Sequence, residues 1–349
     1  MMQVVLEYIG NNEERGEERM GSNSGGQLMN KRETDWFRGV AAVMVVLSHY
    51  AEWWTWFTPT EGNAEIFRLA LSKLGAYGVD IFFLFSGYAM VKSLGQERMH
   101  PQFIWKRIKN VYIPYFLVVG VIELLSGGFT SLHDFWQFAS GKDYWYMFVL
   151  FIFYIGFIVV YTIMGGRGPR CVVFGIFTYV FSYALYEAEM QDFWFVSNIA
   201  FAIGVVAAEY EEPVKKAADK AGYFVIAALG AGMFFVIRSG LDENVAVGRE
   251  EEQLLRMEIG AAVIWTLLVL FLVSRLRIKE KIFAFLGKCS LYIYLTHTFI
   301  FMWCVNAVEW SFALRFLASA VMTAAVSALC CLLVGGVTKK LSSKKPEVL

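Results

Sequence analysis

Apolar runs of about 17–25 residues, the length a helix needs to cross a bilayer, recur along this chain. Ten such windows start near Trp36, Ala76, Val111, Tyr144, Cys171, Phe193, Gly222, Leu255, Ile282 and Phe312. In lipid, backbone N–H and C=O groups find no water, so each run must bond its own backbone as a helix. The expected fold is therefore all-α: a polytopic integral membrane protein of about ten transmembrane helices. A hydrophobic content of 57% over 349 residues excludes an ordinary soluble domain. The fifth and sixth windows are the least separate, parted only by Glu187, Glu189 and Asp192 and diluted by Ser182, Ser197 and Asn198.

The basic residues orient these helices. One set of connections, with the C-terminal tail, carries seventeen Lys and Arg, including Arg98, Lys106, Arg107, Lys109, Arg167, Arg170 and Arg275; the opposite set carries four, Arg68, Lys73, Lys142 and Arg249. The positive-inside bias places both termini on the cytoplasmic side of the cell membrane. Residues 1–34 read as a polar lead-in without the basic start, apolar core and cleavage site of a signal peptide, and Met20 and Met29 are candidate alternative translation starts. Residues 35–337 form the membrane domain and 338–349 a basic cytoplasmic tail.

The first window holds an arginine and a histidine. Arg38 and His49 differ by eleven positions, about three turns, which sets them on one helix face about 16 Å apart. Ionisable groups inside a span are costly and are read first as functional. Orientation puts Arg38 at the inner boundary and His49 about 20 Å into a core about 30 Å thick. The second helix brings Asp80 to the outer half, and the ninth brings His297 about 22 Å from its start at Ile282. Glu52, three residues after His49, shares its face.

Each residue also has a plainer role available. Intramembrane histidines join helices by hydrogen bonds, Asp80 and Glu52 lie near enough to the interface to be solvated, and Ser86-Gly87 permits close helix packing. Lys106, Arg107 and Lys109 in "FIWKRIKNVYIPYF" serve equally as a positive-inside signal, an attraction for anionic lipid, or a phosphate site joined by Arg38. Trp53, Trp54, Trp56, Trp136 and Trp145 suit a membrane belt as well as sugar stacking. The five cysteines lie in apolar stretches with no CxxC or metal-ligand spacing, and HExxH, P-loop, GxGxxG and GxSxG frames are missing, so no metal is expected.

The chain resembles the acyltransferase-3 family of integral membrane acyltransferases. The resemblance rests on the arginine-x10-histidine pair (Arg38, His49), a GV-D-FF-SG-Y motif (Gly78, Val79, Asp80, Phe82, Phe83, Ser86, Gly87, Tyr88) and a G-S-Y-L-H block (Gly287, Ser290, Tyr294, Leu295, His297). It runs from about Asp35 to the last span. It implies transfer of an acyl group, commonly acetyl from acetyl-CoA, to a hydroxyl of an exported carbohydrate, with Arg38 and His49 functional. The family often has a paired-arginine RxxR element before the third helix; here the frame is Arg107-Ile108-Lys109-Asn110, so the second arginine is missing.

Together these readings predict acyl-CoA as donor, held at its nucleotide end by Arg38, Lys106, Arg107 and Lys109. Neutral His49, the form a general base requires, takes the proton of the acceptor hydroxyl, with Asp80 or Glu52 orienting the ring; an acyl-histidine intermediate is the covalent variant. Ser86, Tyr88, Tyr294 and His297 are the candidate substrate contacts. The expected partners are membrane lipid and a carbohydrate or glycolipid acceptor, and not nucleic acid. The rival reading is a transporter or flippase of a sugar or lipid-linked precursor, against which no matched pair of Gly/Pro-broken helices stands in the two halves.

Overall fold

The computed structural model describes residues 28–57, 62–95, 99–241, 251–278, 280–307 and 309–343. The candidate starts upstream of Met29, most of the polar lead-in and the end of the tail lie outside the described residues. Those described are helical, with no strand among them.

In chain order the helices are α1 Lys31–Trp54, α2 Asn63–Ser72, α3 Leu74–Leu94, α4 Pro101–Arg107, α5 Ile113–Ser126, α6 Leu132–Ser140, α7 Trp145–Ile163, α8 Arg167–Glu187, α9 Asn198–Glu209, α10 Glu211–Leu241, α11 Glu251–Arg275, α12 Ile282–Lys288, α13 Ser290–Ala307 and α14 Phe312–Ser343. Seven helical stretches are long and apolar enough to cross a membrane: Ala64–Leu94, Pro101–Ser126, Trp145–Ile163, Arg167–Glu187, Asp192–Glu209, Gln253–Arg275 and Phe312–Thr338. α1, α10 and α13 occupy the other three expected windows, at 24, 31 and 18 residues. Charge and polarity dilute two of them, since α1 carries Glu33, Asp35, Arg38 and Glu52 and α13 holds Thr296, His297 and Thr298; α10 opens with the charged stretch "EEPVKKAADK" and turns apolar from Gly222 on.

Local sequence explains the irregular joints. Pro114 lacks an N–H and its ring crowds the carbonyl one turn back; the stretch Ile108–Tyr112 before it widens into a π-turn that continues α4 into α5. Helix therefore begins at Pro101, ahead of the expected start near Val111. Gly222, at φ +60°, interrupts α10 where the seventh window begins, a conformation open to glycine. The ninth window is divided at Cys289 into α12 and α13, so the continuous run from Ile282 to His297 expected above is not straight.

α3 is buried nearly all round, from Gly78 through Leu94; α1, α9 and α11 pack about it, and α12 packs on α1. α8 and α14 form the rim, turning Val172, Ile176, Val180, Leu317, Val321 and Leu333 outward, as lipid-facing helices do. Two crossings are glycine-paired. Gly39 of α1 lies on the Phe283 carbonyl while Gly287 of α12 lies on the Asp35 carbonyl; Gly87 of α3 lies on the Phe201 carbonyl while Gly204 of α9 lies on the Leu84 carbonyl. A Cβ at any of the four would strike backbone, so small residues set how near these helices come.

Candidate functional site

The glycine-locked α1–α12 contact borders a cavity of about 370 Å³ that α3, α4, the π-turn, α7 and α13 complete. Its volume falls within the range of small-molecule sites. One wall is basic: Lys31 and Arg38 from α1, Arg107 from α4 and Lys288 from the end of α12. Asp35, buried, is the acidic member, with Oδ1 3.7 Å from Arg38 Nη1. Arg38 also lies 5.8 Å over the Phe85 ring. The Arg107 guanidinium donates to the Ala89 carbonyl at 3.3 Å and to the Ser93 hydroxyl and lies over Phe103, while its Nε is buried and has no acceptor.

Of the three basic residues read at the head of the third helix, Arg107 lines this cavity; Lys106 and Lys109 do not. Asn110, widened inward by the π-turn, does. Lys31 and Lys288 were missed by sequence reading, since a lysine at a helix end passes for a topology signal. Tyr146, Leu150 and Tyr154 also line the cavity, and here a signal existed: positions i, i+4 and i+8 share one face of α7, and two carry a hydroxyl in a mostly apolar helix.

The aromatic side leads outward. Ser86, Tyr146, Tyr154 and Tyr294 line it. The Tyr294 ring is 5.2 Å from Tyr146 and 6.1 Å from His297, and the His297 ring is 5.1 Å from His49. His297 is buried, with Nδ1 3.0 Å from the Ile293 carbonyl and 2.8 Å from that of Tyr294. Carbonyls only accept, so Nδ1 carries the proton and Nε2 is left with a lone pair. His49 stacks on Trp53 at 5.6 Å and has Nδ1 3.6 Å from Glu52 Oε2. Its side chain is 35% exposed and that of Glu52 55%, so this end of the path is open to a second reactant.

The remaining candidates lie elsewhere. Asp80 is fully buried, beside Ser197, whose hydroxyl donates to the Ala76 carbonyl at 3.5 Å; neither Asp80 carboxyl oxygen has a hydrogen-bond partner. No hydrogen bond or ion pair joins Asp80 to His49 among the described residues. Gly78, on the α1-facing side of α3, contacts Ala41 and Val45, and Asp80, two residues on, points away from that contact. Tyr88 is outside the cavity and donates its hydroxyl to Glu211 Oε1 at 2.5 Å.

Chemically, the arrangement offers a cationic mouth suited to a phosphorylated molecule, a polar-aromatic wall and, outside the cavity lining but joined to Tyr294 by ring contacts, two imidazoles with an exposed carboxylate beside one of them. Among the described residues no cluster of His, Cys, Asp and Glu is placed to hold a metal ion. Residues 32–335 match a protein family described as acyltransferase domain. No curated protein and no solved structure matches the chain.

Proposed function

We propose a specific reaction for this chain, which belongs to the acyltransferase-3 family and is a multi-pass membrane acyltransferase: it moves an acyl group, acetyl in the first instance, from cytoplasmic acyl-CoA to a hydroxyl of a cell-surface or exported carbohydrate. The topology that goes with this is ten crossings with both termini in the cytoplasm.

The observation that carries the reading is the unbroken sequence of contacts from a basic cavity to a histidine pair, Arg38 at one end of α1 and His49 at the other. The nucleotide end of the donor rests on Arg38 and Arg107, whose forked guanidinium groups suit phosphate oxygens. Its pantetheine arm follows Ser86, Tyr146, Tyr154 and Tyr294 and brings the thioester towards His49. The acceptor oxygen attacks the thioester carbonyl as His49 Nε2 takes its proton; the carbon–sulfur bond breaks and the sulfur leaves as coenzyme A, which recovers that proton. Glu52 is the carboxylate assigned to His49 Nδ1, because it is the one beside it. His297 and Tyr294 position the acyl group.

Inside-out vesicles supplied with labelled acetyl-CoA test the reaction. Label fixed to extracted carbohydrate by the wild type and lost in an equally expressed His49→Ala protein is the expected result; equal labelling by both removes His49 as the base, and none by either removes the acetyl-CoA-to-carbohydrate reading.

A further inference from the structure

Four cations from three separate parts of the chain meet at the mouth of the cavity around one carboxylate. Asp35 lies in the field of Arg38, Lys31 and Lys288, and Arg107 lies in that of Arg38. One acid does not balance this set, so in the absence of a ligand the mouth is self-repelling and an arriving polyanion is drawn in. The buried Arg107 Nε, a donor with no acceptor, is a second mark of an anion site left incomplete by the protein alone.

Lys288 has the least expected origin of the four. It ends α12, and the residue before it, Gly287, rests directly on the Asp35 carbonyl, while Gly39 rests on Phe283 in return. This double backbone contact fixes the end of α12 one helical turn from Arg38 on the facing helix. Lys288 is an exposed residue, as one meeting a ligand from the aqueous side must be. Across the same cavity stands Asn110, neutral and on the π-turn.

We infer that Lys288 is a phosphate-binding residue of the donor site, its ammonium contacting a phosphate oxygen of the acyl donor beside Arg38. The inference rests on the acyl-CoA reading above and adds to it a specificity determinant from the last third of the chain. Its consequence is a stronger preference for phosphorylated donors than the cations of α1 and α4 provide without it. Because Asn110 faces the same space, an arginine there is placed to take over the charge.

The test is calorimetric titration of the purified full chain with coenzyme A and, separately, with phosphate-free pantetheine. The readout is the ratio of the two affinities, which general damage to the site leaves alone because it weakens both. Lys288→Gln is expected to lower the ratio about tenfold, the effect of one charge-assisted hydrogen bond. Lys288→Arg is expected to keep it, and Lys288→Gln combined with Asn110→Arg to recover most of it. A ratio unchanged in Lys288→Gln overturns the inference while leaving the acyl-CoA reading standing. Failure of the wild type to bind coenzyme A at all overturns both.

Discussion

His49 of α1 and His297 of α13 bring their rings to 5.1 Å from opposite ends of the chain, one partly open and the other fully enclosed. Their unequal surroundings divide the roles proposed for them. The open ring, beside Glu52, is placed to exchange a proton with an incoming hydroxyl; the enclosed one, its Nδ1 held by two carbonyls, is placed to hold position.

Removing the proton acceptor while leaving the donor site whole separates chemistry from binding. His49→Ala is expected to lower acyl transfer by about 10²–10⁴-fold, the usual contribution of a general base, with coenzyme A affinity unchanged in a titration. A loss of affinity matching the loss of rate contradicts this assignment.

The two carboxylates read as possible partners of His49 differ sharply in place. Glu52→Gln is expected to lower transfer about tenfold, because the carboxylate 3.6 Å from Nδ1 is the group placed to orient the ring. Asp80→Asn is expected to preserve the transfer rate and the fold, since both carboxyl oxygens are buried without partners and an uncharged isostere is cheaper to bury. Transfer rates of the two variants decide; a loss in an equally stable Asp80→Asn protein returns that residue to the catalytic group.

The glycine-paired crossings predict a localised intolerance. Gly39→Ala and Gly287→Ala drive a methyl into the Phe283 and Asp35 carbonyls, which is expected to cost about 1–3 kcal/mol, as overpacking does, and to weaken coenzyme A binding by displacing the cavity wall. Gly335→Ala, where the added atom meets open space, is the control. Apparent melting temperatures in detergent check both; equal values for Gly287→Ala and the control refute the close contact.

A pH dependence follows from Glu211, just past the span that ends at Glu209. Burial raises its carboxyl, but hydrogen bonds from Lys92, Tyr88 and the Leu28 backbone N–H outweigh it and hold the group below its ordinary value of 4.5. A carboxylate held low in the folded state adds stability in full above that ordinary value and loses it as pH falls through the lowered one. Glu211→Gln is therefore expected to melt below the wild type at pH 7 and to converge with it in acid. A gap that persists in acid means the loss comes from packing and not from the charge.

The membrane class and the helix of Arg38 and His49 were legible because lipid imposes a one-dimensional constraint: apolar length per crossing and basic excess between crossings. His49 was singled out as an ionisable group in an apolar run, Glu52 by its spacing from His49, and Tyr294 by the family resemblance. The cavity's other cations were not, because Lys31 and Lys288 stand at helix ends, where sequence cannot tell a charge facing water from one facing a ligand. Asp80 shows the opposite failure. Depth along three helices put it level with His49, yet depth says nothing of rotation about the helix axis, and it is rotation that turns it towards Ser197. α1 and α13 are diluted in composition for a related reason: the side chains responsible include Arg38, His49 and His297, which these two helices bring to the candidate site.

The contact of α12 with α1 also bears on how the protein is made. The face of α1 that carries Gly39 is among the first parts of the chain to leave the ribosome, whereas its cover, Phe283–Gly287, emerges only after α11. Until then the early helices present an uncovered backbone groove and a half-walled basic pocket. A truncated product that lacks α12 thus leaves the Gly39 face of α1 uncovered and the cavity without its Gly287–Lys288 wall.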